Sequence, residues 1–265
     1  MKKIMTLAAI FAAVMMGVTS CNPDDTKPEQ KPDTDQPTDQ PTDEPTDEPT
    51  DEPSDEYVSP ITIDGDFADW DALDASKVAS AVCDPDALHT ALKSVKVYAD
   101  EMFINFLIEV DGTHETLAAE GIDIPIDIYF NADNSENTAD SNWKGQAGQD
   151  CLLEGAYVAA GEVISFDPGC YPYTGSEEAV EWAWDVDNPL IADSTGFGSG
   201  AGTLEKYEFS VLTEMLAGVV DLADTFGIGI TVSPGWTISG LLPNGPVTEE
   251  DTKGLAPFLS VTINK

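Results

Sequence analysis

The stretch SVKVYADEMFINFLIEV, Ser94 to Val110, decides the fold class because its apolar residues recur at every second position on both sides of a turn. Val95 and Val97 share one face before the turn at residues 99–101. After the turn, four residues share the matching face: Ile104, Phe106, Ile108 and Val110. A period of two residues is typical of strands with one face in a core, so this stretch predicts a β-hairpin.

The same pattern continues through the rest of the chain. In IDIPIDIYF, residues 122–130, the isoleucines alternate again, and Pro125 predicts an edge strand because proline lacks the N–H that a neighbouring strand needs. Further strand patterns are CLLEGAYV (151–158), EVISF (162–166), AVEWAWDV (179–186), KYEFSV (206–211), FGIGITV (226–232), WTISGLL (236–242) and APFLSVTI (256–263). THETLAAE (113–120) and LTEMLAG (212–218) predict short helical turns. Many short strands predict an all-β domain over residues 58–265, an antiparallel β-sandwich resembling a jelly roll.

The segment ITIDGDFADWDAL, residues 61–73, allows two interpretations, a calcium loop or the start of the folded domain. An EF-hand loop requires regularly spaced oxygen ligands, a central glycine and a distant glutamate, and this segment lacks that order. We therefore expect Gly65 to form a tight turn that Asp64 and Asp66 stabilise through backbone amides. Trp70 is expected to pack across one end of the sandwich.

Residues 1–20 have the layout of an export signal, because Lys2 and Lys3 precede an apolar run that ends in small residues. The ending Val-Thr-Ser-Cys resembles the bacterial lipobox, which implies cleavage before Cys21 and lipidation of its thiol. The alternative is an ordinary signal peptide with an incidental cysteine. With lipidation, the protein would be attached to a membrane without spanning it.

Residues 21–57 contain a repeated tetrad, Asp-Gln/Glu-Pro-Thr, from Asp35 to Ser54. Frequent prolines, like charges and missing apolar side chains predict a disordered, extended linker. The pair Asp24-Asp25 resembles the acidic surface-export signal of Bacteroidetes lipoproteins, which implies the outer membrane and the cell surface.

The net charge argues against several partners. The chain carries −39, of which −29 falls on residues 57–265, where 36 acidic residues face seven lysines and no arginine. Binding to nucleic acid or anionic lipid requires clustered basic residues and is disfavoured. The acidity is explained either by solubility or by carboxylates that converge on calcium.

The best metal candidate is the loop NADNSENTADSNW, residues 131–143. Its short oxygen-bearing side chains follow a strand and suit calcium, a hard cation. The predicted ligands are Asp133, Asn134, Asn137 and Asp140, with Asn142 close by. The alternative is a polar loop whose side chains stabilise its own turns.

Five segments together resemble the β-sandwich superfamily of family-nine carbohydrate-binding modules and DOMON-like domains. They are IDGDFADWDAL, SVKVYADEMFINFLIEVD, IDIYFNADNSENT, GQDCLLEG and KYEFSV. The resemblance implies a sugar-binding or general binding module tethered near polysaccharide-processing machinery.

A sugar site needs exposed aromatic rings beside polar groups, because pyranose faces stack on rings while hydroxyls need hydrogen-bond partners. Four aromatics in turn-like segments are candidates: Trp143, Tyr171, Tyr173 and Trp236. The alternative for each is a packed loop aromatic. Trp182 and Trp184 share a strand face with Val180 and Val186, which predicts burial in a core.

Signatures of catalysis are mostly missing from the sequence, although its many carboxylates make a glycosidase pair possible. Its two histidines, His89 and His114, belong to no HExxH motif, and no GxSxG motif occurs. GFGSGAG, residues 196–202, lacks dinucleotide-binding spacing and is interpreted as a flexible turn. We therefore predict a non-enzymatic carbohydrate-binding lipoprotein, or alternatively a structural or adhesive surface protein without a small ligand.

Three cysteines follow Cys21, namely Cys83, Cys151 and Cys170. The stretch between Cys151 and Cys170 could fold back and bring them together in a disulfide, which an exported protein permits. Buried free thiols are the alternative.

Overall fold

The computed structural model describes residues 57–135, 148–175, 183–244 and 258–265. In these residues the helices are short: α1 is Ala68–Ala72, α2 is Thr113–Ala119 and α3 is Thr213–Ala217. The strands are β1 Ala79–Val82, β2 Leu92–Asp100, β3 Phe103–Val110, β4 Ile124–Asn131, β5 Cys151–Ala159, β6 Glu162–Val163, β7 Gly169–Pro172, β8 Gly198–Gly202, β9 Lys206–Leu212, β10 Thr225–Val232, β11 Gly240–Leu242 and β12 Leu259–Asn264. The all-β class is confirmed.

The strands form one large mixed sheet that curves into a nearly closed barrel. Its order is β6-β5-β4-β10-β12-β2-β3-β9-β8, with β1 beside β2, β11 beside β10 and β7 beside β5. Strand β12 runs antiparallel to β10 but parallel to β2, and it thereby joins the two halves. The arrangement is therefore not purely antiparallel, and a jelly-roll sandwich is not confirmed.

The hairpin predicted from residues 94–110 is confirmed. Strands β2 and β3 pair in antiparallel register from Leu92 opposite Val110 to Ala99 opposite Ile104. All six predicted inward residues are buried in the main core. Phe106 stacks on Phe209 of β9 with ring centroids 4.7 Å apart. Burial of this continuous apolar face between the curved halves of the sheet supplies the main driving force for folding.

The prediction that Pro125 marks an edge strand is wrong. Strand β4 lies between β5 and β10, in the interior of the sheet. The pairing register with β5 shifts between Ile124 and Pro125, so the proline lies at an irregularity in the ladder. A strand tolerates proline there because no regular ladder hydrogen bond is lost.

The interpretation of residues 196–202 as a flexible turn is also wrong, because residues 198–202 form β8 and pair with β9. Its glycines let neighbouring groups lie directly against the backbone. A Cβ on Gly200 would fall 2.1 Å from the Tyr207 hydroxyl, and one on Gly198 would fall 2.7 Å from Pro168 Cδ. The Gly200 N–H donates to Ser165 Oγ over 3.0 Å, so the chain after β6 covers this edge.

The domain begins with the expected turn. Gly65 has φ +84°, and the Asp66 N–H donates to Asp64 Oδ1 over 2.8 Å. The buried Glu208 of β9 accepts from the N–H groups of Asp64 and Gly65 and from Trp70 Nε1. Trp70 packs on the outer face of β2 and β3 in a small second core, so its predicted place at an end of the sheet is wrong. Sequence patterns gave no sign of Glu208.

Other predicted elements are confirmed to different extents. The strands at 151–158, 206–211 and 226–232 and both helical turns form nearly as expected. Those at 162–166 and 236–242 shrink to Glu162–Val163 and Gly240–Leu242. Part of 179–186 lies outside the described residues, and Trp184 forms only an isolated bridge with Tyr173.

The three described cysteines carry free thiols. Cys151 and Cys170 are fully buried on the neighbouring strands β5 and β7. In this structure the free-thiol alternative therefore holds.

Candidate binding groove

A groove of about 320 Å³ lies over the outer face of β4 and β5. Its floor includes Pro125, Glu154 and Ala156, which point away from the core because they alternate with inward-facing residues. Its walls come from residues 164, 165 and 167, from Tyr171 of β7, from the loop at 193–194 and from the turn after β10. We call this feature the outer groove.

Trp236 stands at the rim of the outer groove with 70% of its surface exposed. Its φ of +67° lies in the left-handed region, which costs a bulky residue on the order of 1–3 kcal/mol. Hydrogen bonds hold the turn: the Trp236 N–H donates to Ser233 O over 2.8 Å, and the Gly235 N–H donates to Asp123 O over 3.0 Å. The turn therefore presents a large apolar ring to solvent in a fixed place.

Tyr171 supplies a second aromatic ring to the outer groove. It lies on β7, and its ring covers Gly169, where a Cβ would fall 2.2 Å from the Tyr171 hydroxyl. Burial, followed by the nearby carboxyls of Glu154 and Asp193, raises the pKa of Tyr171. The hydroxyl therefore remains protonated at neutral pH and can donate a hydrogen bond.

The floor of the outer groove contains a pair of neighbouring carboxyls. Glu154 on β5 lies opposite Asp127 on β4, and the buried Asp127 accepts from Thr231 Oγ1 over 3.0 Å and from Ser233 Oγ over 3.3 Å. Burial, and then Asp127, raises the pKa of Glu154 to about 8. Glu154 is therefore a neutral carboxylic acid at pH 7, able to donate a hydrogen bond to a ligand oxygen.

Three more carboxylates line the walls, and two of them are anchored to the backbone. Asp167 accepts from the N–H groups of Gly196 and Gly198 over 2.8 and 3.0 Å. Asp123 accepts from Ala160 N–H over 3.0 Å, while Asp193 is exposed. These bonds fix the walls and leave lone pairs that can accept from ligand hydroxyls.

The structure brings together two of the four predicted sugar-binding aromatics, Tyr171 and Trp236. Tyr173 lies outside the lining and packs edge-on against Trp184, with ring centroids 5.2 Å apart. Trp143 lies outside the described residues. Trp184 is buried as predicted, whereas Trp182 also falls outside the described residues. The sugar-binding role of all four stays a prediction.

The carboxyls of the outer groove were not found by sequence reasoning. A signal did exist, because Asp123 and Asp127 occupy the positions of IDIPID that alternate with the buried isoleucines. Their partner Glu154, however, is 27 positions from Asp127 in sequence, and only the pairing of β4 with β5 brings them together.

The predicted calcium loop is described only in part. Asp133 Oδ1 accepts from Ser135 N–H over 2.8 Å, and Asn134 has φ +57°. Asn137, Asp140 and Asn142 lie outside the described residues. Within residues that the structure does describe, no group of three potential metal-binding side chains converges. Calcium binding stays a prediction.

Comparisons with known proteins concern mainly the N-terminal segment. A family model described as the PT disordered repeat matches residues 27–57, in agreement with the predicted linker. No curated protein sequence matches the chain. Among residues 57–265, leaving out the three undescribed gaps, no helix is long and apolar enough to cross a bilayer. Cys21 and Asp24-Asp25 lie outside the described residues.

Proposed function

We propose that residues 58–265 form a carbohydrate-binding domain without catalytic activity, displayed by a lipid-anchored protein on the outer membrane. The observation that carries this proposal is the outer groove, where the exposed ring of Trp236 and the ring of Tyr171 accompany several carboxyl groups. Rings can stack on the apolar faces of a pyranose, and carboxyl groups can bond its hydroxyls. The resemblance to β-sandwich carbohydrate-binding modules supports the same function.

The arrangement of the carboxyls favours binding over glycoside hydrolysis. Glycosidases hold two carboxyls about 5 to 9.5 Å apart, with the scissile bond between them. Asp127 and Glu154 instead lie directly opposite each other on neighbouring strands, which leaves no room for a sugar between them. Asp127 is also buried and already accepts from two hydroxyls. This pair therefore suits a fixed polar floor.

The proposal predicts that Trp236→Ala weakens binding of an oligosaccharide by about five-fold, because a stacked ring contributes on the order of 1 kcal/mol. The melting temperature should hardly change, since the ring is exposed. Isothermal titration calorimetry of the purified chain against neutral oligosaccharides measures the affinity. Val82→Ala is the matched control, because Val82 is 78% exposed on β1, outside the groove.

A broad glycan panel provides the stricter test. If no glycan binds at millimolar concentration, the carbohydrate proposal fails and the structural or adhesive alternative replaces it. If a glycan binds but Trp236→Ala and Tyr171→Ala both leave its affinity unchanged, the protein binds sugar elsewhere and the outer groove is not the site.

A further inference from the structure

The outer groove combines aromatic rings with ionisable groups of a single sign. Its four ionisable carboxyl residues are Asp123, Glu154, Asp167 and Asp193, and no lysine, arginine or histidine occurs among the described residues that line it. The lysines that form ion pairs in the described part of the chain pair with Asp111, Glu109 and Asp224, all away from the groove. A ligand therefore meets an unbalanced negative potential.

This potential separates classes of sugar. Uronic acids and sulfated sugars would bring like charge into the groove, and like charges in close contact oppose binding. Neutral sugars can stack on the rings but gain nothing from the charge. A sugar with an ammonium group gains charge-assisted hydrogen bonds from the carboxylates. It also gains cation–π attraction, which is strongest at tryptophan, the residue at the rim.

The floor provides a particular place for the ammonium group. Glu154 faces the groove, and the buried Asp127 lies beside it on the neighbouring strand, so two carboxyl groups share one poorly solvated region. The titratable groups that surround Glu154 are Asp127 on β4, Tyr171 on β7 and Asp193 in the loop after it, none of them cationic. A cation beside Glu154 would favour the ionised form of this carboxyl next to Asp127.

We propose that the outer groove recognises a glycan containing amino sugars, with a ring stacked on Trp236 and its ammonium group beside Glu154. This proposal rests on the proposed carbohydrate-binding function and specifies its ligand class. A lysine-rich peptide would satisfy the charge, but it lacks the flat sugar face that the rings of Trp236 and Tyr171 fit.

Matched oligosaccharides test the proposal. Hexamers of β-1,4-linked glucosamine and of N-acetylglucosamine share their backbone and differ in the charge on nitrogen. Titration of the purified full chain should show the glucosamine hexamer binding about ten-fold more tightly, with the advantage falling as salt rises. Glu154→Gln should remove most of this preference, measured as the ratio of the two affinities.

A second readout follows the proton on Glu154. Its pKa lies at about 8, so an amino sugar that is already protonated in solution should, on binding, ionise Glu154 and release its proton. Titrations in two buffers with different ionisation enthalpies measure this release. The release should be absent with the acetylated hexamer and in Glu154→Gln.

Three outcomes would overturn the proposal in distinguishable ways. Equal or tighter binding of the acetylated hexamer would reject the amino-sugar preference while keeping the carbohydrate function. Hexalysine that binds as tightly as the glucosamine hexamer would replace the sugar with a cationic peptide. Failure of every glycan would reject both the ligand class and the proposed function.

Discussion

At the scale of single residues, folding strongly changes the ionisation of Glu154. Its pKa rises from 4.5 to about 8, mainly because it is buried and then because Asp127 lies opposite. A folded-state pKa above the unfolded value gives a contribution that is fully present below about pH 4.5. It is lost as the pH rises to about 8, because the unfolded chain then binds fewer protons than the folded one. Asp150 has a pKa raised from 3.8 to about 6. It likewise contributes stability that is lost as the pH rises, at the lower end of the same pH range.

Glu154→Gln should therefore flatten the dependence of stability on pH. The amide keeps the size of the side chain and cannot ionise, so the variant should gain about 2 to 4 °C in melting temperature over the parent at pH 8. The gain should shrink to near zero at pH 4.5. Thermal unfolding followed by circular dichroism at several pH values measures both curves.

Asp193→Asn is the control for this experiment, because it also removes a carboxyl from the outer groove but at an exposed position. Its curve should follow that of the parent. Parallel curves for the parent and Glu154→Gln between pH 4.5 and 8 would contradict the assignment of a raised pKa to Glu154.

At the scale of elements, β7 shows how a glycine positions a ligand-facing ring. Gly169 and Tyr171 lie on the same side of this strand, with Gly169 opposite Glu154 and Tyr171 opposite Leu152. The tyrosine ring occupies the space that a side chain at position 169 would fill. The pair therefore places the hydroxyl of Tyr171 close to the floor of the outer groove.

Gly169→Ala should displace the Tyr171 ring and weaken glycan binding about three- to ten-fold. The fold should lose little stability, because the clash is with the movable end of a side chain. Titration calorimetry with a bound glycan and thermal unfolding measure the two effects separately. Gly112→Ala is the matched control, since a Cβ there would only touch the Glu205 side chain at 3.4 Å. Unchanged affinity in Gly169→Ala would mean that the placement of Tyr171 does not matter for binding.

The elements that sequence reasoning found and missed differ in one physical respect. Strands β2 and β3 were recognisable because apolar residues recur at every second position of their own sequences, and these positions face the main core. Strand β8 cannot, because its glycines have no side chains and its conformation is fixed by pairing with β9. The misplaced edge strand at Pro125 has the same cause, since the position of β4 depends on partners far away in sequence.

The candidate site was also predicted only in part from the sequence. Trp236 and Tyr171 were candidates because their sequence context is turn-like, although Tyr171 belongs to β7 and Tyr173, chosen on the same ground, lies outside the groove. The carboxyl floor was missed because it forms only where β4, β5 and β7 come together. Local pattern therefore identified the rings, and tertiary pairing determined which polar groups surround them.

At the scale of the whole molecule, the proposed roles of the two parts of the chain are complementary. The acidic domain is repelled by anionic surfaces, and the N-terminal segment is proposed to attach it to a membrane. The net charge of −29 on residues 57–265 opposes close approach to anionic surfaces. A linker of residues 21–57 with polyproline-like extension, about 3.1 Å per residue, would hold the domain on the order of 100 Å from a bilayer. This distance would let an acidic domain that anionic surfaces repel remain attached to a membrane.

Cys21→Ala tests this attachment directly. Without a thiol at position 21 no lipid can be added, and nothing in the acidic linker or domain favours membrane binding. The variant should therefore move from the outer-membrane fraction to the soluble fraction, and labelling with radioactive palmitate should fall to background. Cys83→Ala is the matched control, because it also removes one cysteine, in the half-buried segment before β2, and should remain with the membrane. A Cys21→Ala protein that still fractionates with the outer membrane would show that something other than the lipid holds it there.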